Sequence, residues 1–175
     1  MKDIYIFLCL ILICFLACNR PTSHKLVSIN NNEIKAVKIE EGKSFGPCEP
    51  SICINSTDPN NIVAGAILDK VYVSNDGGQT WSINRLESSY GVYGDPVVRA
   101  DYNGNFYYAH LSNPKGKAYS DPEFLDRIVI QKSTDKGQTW NDGSFTLPRT
   151  PKDQDKQWLA IDPNDNTIYV TWTEF

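Results

Sequence analysis

An octapeptide that occurs twice restricts the possible folds of this chain more than any other feature. SNDGGQTW begins at Ser74 and STDKGQTW begins at Ser133, so six of eight positions are identical. The Asp can accept N–H groups of a tight turn, the Gly permits positive φ, and the Trp ring can cover a hairpin. The two copies predict two turns with the same structure. Their structural residues are Ser74, Asp76, Gly78, Thr80 and Trp81, and Ser133, Asp135, Gly137, Thr139 and Trp140.

Longer segments around the octapeptides repeat a pattern of strand, polar turn and second strand. From residue 47 onward the apolar residues recur with a period of two, and no window has the period of an amphipathic helix. Turns rich in Asp, Asn, Gly and Pro separate the strands. The predicted fold is therefore all-β, with groups of strands at 48–87, 95–149 and 156–175.

The octapeptides match the Asp-box, Ser-x-Asp-x-Gly-x-Thr-Trp, and the chain resembles the Asp-box (BNR repeat) β-propeller family, which includes sialidases. The resemblance implies a propeller of the six-bladed type, in which each box joins the third and fourth strands of a blade and is structural. About two and a half such blades fit into residues 44–175. The chain is thus identified as the N-terminal portion of a propeller. The remaining blades would come from a longer chain or, as the second choice, from self-association.

The N-terminus is typical of an export signal. Its apolar run, residues 4–17, is shorter than the roughly 20 residues that a bilayer-spanning helix needs. The residues up to Cys18 resemble a bacterial lipobox, which implies cleavage, lipidation of Cys18 and anchoring at the outer membrane or cell surface. A signal followed by an incidental cysteine is the alternative. The predicted segments are a signal peptide at 1–17 and a surface tether at 18–43, with a strand near 34–39.

Charge and cysteine spacing limit the partners and cofactors. The chain has 17 Lys+Arg against 21 Asp+Glu and a pI near 5.1, so no nucleic acid is expected as a partner. No metal-ligand spacing or phosphate-binding glycine loop is found, and no cofactor is expected. Cys48 and Cys53 are expected to be two buried thiols. The alternative, a disulfide, requires a sharp turn at Pro50, because a straight strand would hold them about 16 Å apart.

The resemblance implies a protein directed at glycans, and exo-α-sialidase activity is the reaction it suggests. Aligning Pro50 with the proline of the family's Arg-Ile-Pro motif places Cys48 at the arginine position and Glu49 at the isoleucine position. A thiol cannot replace a guanidinium that clamps a substrate carboxylate. Sialidase activity is therefore not supported by these residues. An exo-glycosidase-like enzyme, a non-catalytic propeller that binds glycan or protein, and a truncated inactive fragment all stay open.

The candidate site residues lie in loops at one end of the predicted blades. Aromatic rings can stack on sugar faces, and paired carboxylates suit glycoside hydrolysis. Four of these residues also have an alternative role. Asp95 can cap a turn, and Asp155 can be a solvated charge. Trp158 can pack between blades, and Arg127 can pair with an acid. The loop that holds Asp69 looks too short to reach a central pocket. The candidate catalytic residues are Asp95, Asp155 and Asp69, and the candidate ligand-binding residues are Tyr90, Tyr93, Arg127 and Trp158.

Overall fold

A computed structural model describes residues 36–42, 46–114 and 116–175. The chain divides into two units, Met1–Ala36 and Val37–Phe175, and the following description concerns the second. The predicted signal peptide, the lipidation of Cys18 and the tether up to residue 35 lie outside the described residues. Within the described ranges, no helix is long and apolar enough to cross a membrane.

Ten strands in the described residues form three antiparallel sheets that follow one another along the chain. In each sheet the strands that are neighbours in sequence are also hydrogen-bonded neighbours. Because the described ranges contain strands and turns but no helix, the all-β prediction is confirmed. The first sheet contains β1 (Ser51–Asn55), β2 (Asp58–Ala66), β3 (Lys70–Ser74) and β4 (Ser82–Arg85), the second β5 (Val97–Ala100), β6 (Phe106–Leu111), β7 (Ile128–Ser133) and β8 (Ser144–Phe145), and the third β9 (Gln154–Ile161) and β10 (Ile168–Glu174).

The turn after the first strand of each sheet has the same cap. Asn55, Asp101 and Asp162 stand at the end of β1, β5 and β9 or directly after it. In each case the side-chain oxygen accepts a hydrogen bond from the backbone N–H two residues later, at 2.9, 2.9 and 2.8 Å, respectively. This bond replaces a backbone turn contact, which explains why short polar residues recur here. Counting back from the three capping residues therefore relates the first strands position by position.

Each octapeptide forms the turn between the third and fourth strands of a four-stranded sheet. In the first, Ser74 Oγ donates to Asp76 Oδ1 at 2.8 Å, and the same Oδ1 accepts the Thr80 N–H at 2.9 Å. Thr80 Oγ1 donates to Asp76 Oδ2 at 2.6 Å. The corresponding bonds of the second octapeptide measure 2.8, 2.9 and 2.5 Å. The hydroxyl and N–H of Thr80 hold the pKa of Asp76 at about 2, so its carboxylate is a permanent acceptor.

The two octapeptides differ in how they pack. Trp81 Nε1 donates to the Gly78 carbonyl of its own turn at 3.0 Å. Trp140 instead sets its ring against the edge of Tyr108, with 5.7 Å between the ring centroids. Its buried Nε1 has no hydrogen-bond partner in the part of the chain that the structure describes. The second octapeptide also contacts the first sheet, where Asn61 Nδ2 donates to the Lys136 carbonyl at 3.1 Å.

Hydrophobic core lies between successive sheets and brings their first strands together. One cluster joins Val63 and Val73 of the first sheet to Val98 and Phe106 of the second. The other joins the second sheet to Leu159 of the third. In this arrangement β1 contacts β5, and β5 contacts β9. The ends at which these three strands begin therefore converge.

The prediction of a strand near 34–39 is wrong for the residues that the structure describes. Residues 36–39 do not form a strand. Ile39 instead packs on Ala64, Ala66 and Tyr72, and the Tyr72 hydroxyl donates to Glu40 Oε2 at 2.7 Å. The segment thus covers a face of the first sheet, where side chains make the contacts and no backbone ladder can form.

The expectation of two buried thiols is wrong for Cys48. Both Cys48 and Cys53 are free, but Cys48 is exposed and Cys53 is partly buried. Cys48 precedes β1, and its carbonyl accepts from the Ile67 N–H at 3.1 Å, whereas Cys53 packs against the core between the first and second sheets.

Candidate functional site

Three residues at equivalent positions meet where the first strands begin. Glu49, Asp95 and Lys156 each lie six residues before the turn-capping Asn or Asp of their hairpin. All three have left-handed backbone conformations, with φ of 52°, 48° and 54°, respectively. Such φ values are uncommon for residues other than glycine and occur preferentially at functional positions. The repeat thus places three charged side chains at the same point of three successive sheets.

Asp95 interacts with each of the other charged side chains. Lys156 Nζ donates to Asp95 Oδ2 at 2.9 Å. The carboxyl groups of Glu49 and Asp155 lie near enough to shift the pKa of Asp95. Gln157 Nε2 donates to the backbone carbonyl of Asp95. Asp95 is therefore the centre of the cluster, and its side chain is only 21% exposed.

The cluster forms one wall of a cleft of about 370 Å³. The Trp158 side chain lines this cleft and is 59% exposed, although large aromatic residues are usually well buried. Arg99 Cζ lies 4.6 Å from the centroid of the Trp158 ring and so covers part of it. The residues that line the cleft are Glu49, Pro50, Asp95, Pro96, Val97, Lys156, Gln157 and Trp158.

The two carboxyl groups of the cluster have opposite pKa shifts. The hydrogen bond with Asp95, followed by burial and by the charge of Asp95, raises the pKa of Glu49. Burial also opposes ionisation of Asp95, but hydrogen bonds with Glu49 and Lys156 outweigh it and lower the pKa of Asp95. The two carboxyl groups thus differ in how readily they lose a proton.

Of the predicted site residues, the structure brings Asp95 and Trp158 together in the lining of the cleft, and Asp155 lies near Asp95 outside that lining. Asp69 is not a lining residue of the cleft, and its Oδ2 accepts from Arg85 Nη1 at 2.7 Å. The short turn between β2 and β3 keeps it there.

The other predicted ligand-binding residues lie in separate contacts. Arg127 donates to both carboxylate oxygens of Asp126, at 2.7 and 2.6 Å. Its guanidinium lies 5.7 Å from the ring centroid of Tyr90. Tyr93 packs edge-on against Phe124, with 5.1 Å between the ring centroids. None of the three is among the described residues that line the cleft.

Sequence reasoning missed Glu49, Lys156 and Gln157 as site residues. The sequence does indicate Glu49, because Glu49–Pro50 repeats Asp95–Pro96 at the start of the next unit. The alignment with the Arg-Ile-Pro motif indicated only that the arginine of the motif is absent. Lys156 shares neither charge nor neighbouring residue with its equivalents, and only its distance of six residues from the turn-capping Asp162 identifies it.

Other features of the chain assign no chemistry to the cleft. In the described ranges, no group of three or more His, Cys, Asp or Glu is arranged to hold a metal ion. No protein-family model and no curated protein matches the chain. The functional inference therefore depends on the geometry of the cleft and on the repeated octapeptides.

Proposed function

We propose that this chain contributes blades to a sialidase-like Asp-box β-propeller that is exported and anchored to a membrane through Cys18. Two features support the propeller type. Each octapeptide joins the third and fourth strands of a sheet, and the first strands of successive sheets are in contact. In a propeller these strands line the central channel, and the loops at one end of it form the binding site.

We further propose that the cleft at the start of β1, β5 and β9 binds a glycan. The observation that carries this proposal is the convergence of Glu49, Asp95 and Lys156 beside the exposed ring of Trp158. The carboxylates can accept hydrogen bonds from sugar hydroxyls, and the Lys156 ammonium can donate to a sugar oxygen. The apolar face of a pyranose can stack on the part of the Trp158 ring that Arg99 leaves open. A cleft of about 370 Å³ is within the usual range of small-ligand sites.

Glycoside hydrolysis is a second candidate function, and the opposite pKa shifts of Glu49 and Asp95 favour it. Retaining glycosidases hold their two carboxyl groups about 5 Å apart, on either side of the glycosidic bond. The carboxyl groups of Glu49 and Asp95 interact with each other instead. A sugar would have to separate the two groups before the acid could reach a glycosidic oxygen. Binding without turnover therefore requires fewer rearrangements and is proposed first.

Glycan-binding measurements on the full chain test the proposal. Asp95→Ala removes the centre of the cluster, so we expect the affinity for any bound glycan to fall at least about tenfold. Asp165→Ala is the matched control, because Asp165 caps the turn at the opposite end of the β9–β10 hairpin. An unchanged glycan affinity in folded Asp95→Ala protein would contradict the site. Turnover of a fluorogenic glycoside that disappears in Glu49→Gln would favour the enzyme over the binding protein.

A further inference from the structure

We infer that the cleft selects uncharged, hydroxyl-rich sugars and rejects sugars that carry a carboxylate. This inference rests on the proposed glycan-binding function and specifies its class of ligand. It departs from what the resemblance to sialidases implies, because sialic acids are anionic. Three observations carry it: the charge of the cleft, the absence of an arginine from its lining, and a buried acceptor that lacks a donor.

Acidic groups outnumber basic groups in the lining of the cleft. Glu49 and Asp95 contribute two carboxyl groups to it, and Lys156 contributes one ammonium. Lys156 already pairs with Asp95 at 2.9 Å, so a ligand carboxylate would have to compete for it. Repulsion between carboxylates in a partly buried cleft is screened less than in bulk water. An anionic sugar would therefore meet a repulsion that a neutral sugar does not.

No arginine lines the cleft in the part of the chain that the structure describes. Arg99 is nearby, but its guanidinium stacks on Trp158 and its Nη1 donates to the Val98 carbonyl at 2.8 Å. Arg127 is held by both oxygens of Asp126. A planar guanidinium is the group best suited to bidentate binding of a carboxylate, and neither of these is directed to that task.

Gln157 adds a buried acceptor that lacks a donor. It lines the cleft with only 3% of its surface exposed, and its Nε2 is used by the Asp95 carbonyl. Its Oε1 is buried and has no hydrogen-bond partner among the described residues. A buried acceptor without a donor is unfavourable, and native proteins usually supply one. A hydroxyl can satisfy this acceptor once the Gln157 side chain turns toward the cleft, whereas an ionised carboxylate cannot satisfy it in any position.

Matched sugar pairs separate this inference from the proposed function. Methyl galactoside and methyl glucoside differ from their uronic acid counterparts only by an uncharged hydroxymethyl group in place of a carboxylate. We would titrate the full chain with all four, and with lactose and sialyllactose, at low and high salt. We expect neutral members to bind at least about tenfold more tightly at low salt, and the difference to shrink as salt screens the charges.

Charge variants locate the source of the discrimination. Asp95→Asn and Glu49→Gln each remove a carboxylate with little change of shape, so they should reduce the preference for the neutral sugar. Asp165→Asn removes the same charge at the far end of the hairpin and should leave the preference unchanged. Equal or tighter binding of the uronates or of sialyllactose would overturn the inference while leaving glycan binding intact. Failure of every sugar to bind would refute the proposed function and this inference with it.

Discussion

The two octapeptide glycines offer a controlled measurement of how the second turn packs on the first sheet. Gly78 and Gly137 occupy the same position of the repeat and have the same φ, +86°. A Cβ on Gly137 would lie 2.6 Å from Val63 Cγ2 and 3.4 Å from Val73 Cγ2. On Gly78 its closest neighbours, Ile62 Cδ1 and Trp81 Cζ2, would be 3.6 Å away. Alanine therefore causes the same backbone strain at both sites and a severe clash at only one.

The magnitudes follow from these two contributions. Alanine at positive φ costs about 1 to 2 kcal/mol, and this applies to both variants. Overpacking of a closely packed core adds about 1 to 3 kcal/mol, and this applies to Gly137→Ala because Val63 is fully buried. We therefore expect a loss of about 1 to 2 kcal/mol for Gly78→Ala and about 2 to 5 kcal/mol for Gly137→Ala.

Urea unfolding of the full chain, followed by circular dichroism, measures both losses. Equal m-values would show that the variants unfold over the same surface, so the midpoints can be compared directly. Equal losses of free energy in the two variants would refute the packing of the second octapeptide against Val63. A larger loss in Gly78→Ala would refute the assigned equivalence of the two turns.

Two further predictions concern buried polar groups. Burial lowers the pKa of His110 from 6.5 to about 4, so stability is fully present above pH 6.5 and falls by up to about 3 kcal/mol as the pH drops toward 4. An imidazole NMR titration measures this pKa, and a value above 6 would contradict the effect of burial. Trp81→Phe should cost about 1 kcal/mol more than Trp140→Phe, because only the Trp81 indole N–H has a partner among the described residues. Thermal unfolding of the two variants compares them, and a larger loss for Trp140→Phe would contradict it.

Local patterns in the sequence predicted most of the strands. The octapeptides located the turns before β4 and β8, and polar turns located the hairpins of all three sheets. The strands were predicted less well where contacts between distant parts of the chain determine where a strand forms. The strand β9 begins at Gln154, before the apolar residues that signalled it, because the Gln154 N–H donates to the Leu125 carbonyl and Gln154 pairs with Glu174. The strand near 34–39 failed because an apolar residue in this segment packs on a sheet face instead of pairing at an edge.

The candidate site was predictable only in part for the same reason. Asp95 and Trp158 were singled out because a carboxylate and an aromatic ring stood near the starts of repeated units. The bond between Lys156 and Asp95 joins residues 61 positions apart and exists because the second and third sheets pack together. Tyr90 and Arg127 have chemistry equally suited to sugars, but Phe145 and Asp126 hold them in contacts of their own. Residue type suggested the function, and tertiary packing determined which residues share the cleft.

The central claim, that the cleft beside Trp158 binds a glycan, is tested most directly by the indole N–H signals of the chain. The chain has four tryptophans and therefore four indole N–H resonances, and the resonance that is missing from Trp158→Phe belongs to Trp158. We expect the Trp158 signal to shift progressively during titration with a neutral oligosaccharide, while those of Trp81 and Trp140 stay in place. A Trp158 signal that does not move for any glycan, or shifts confined to the octapeptide tryptophans, would contradict the claim.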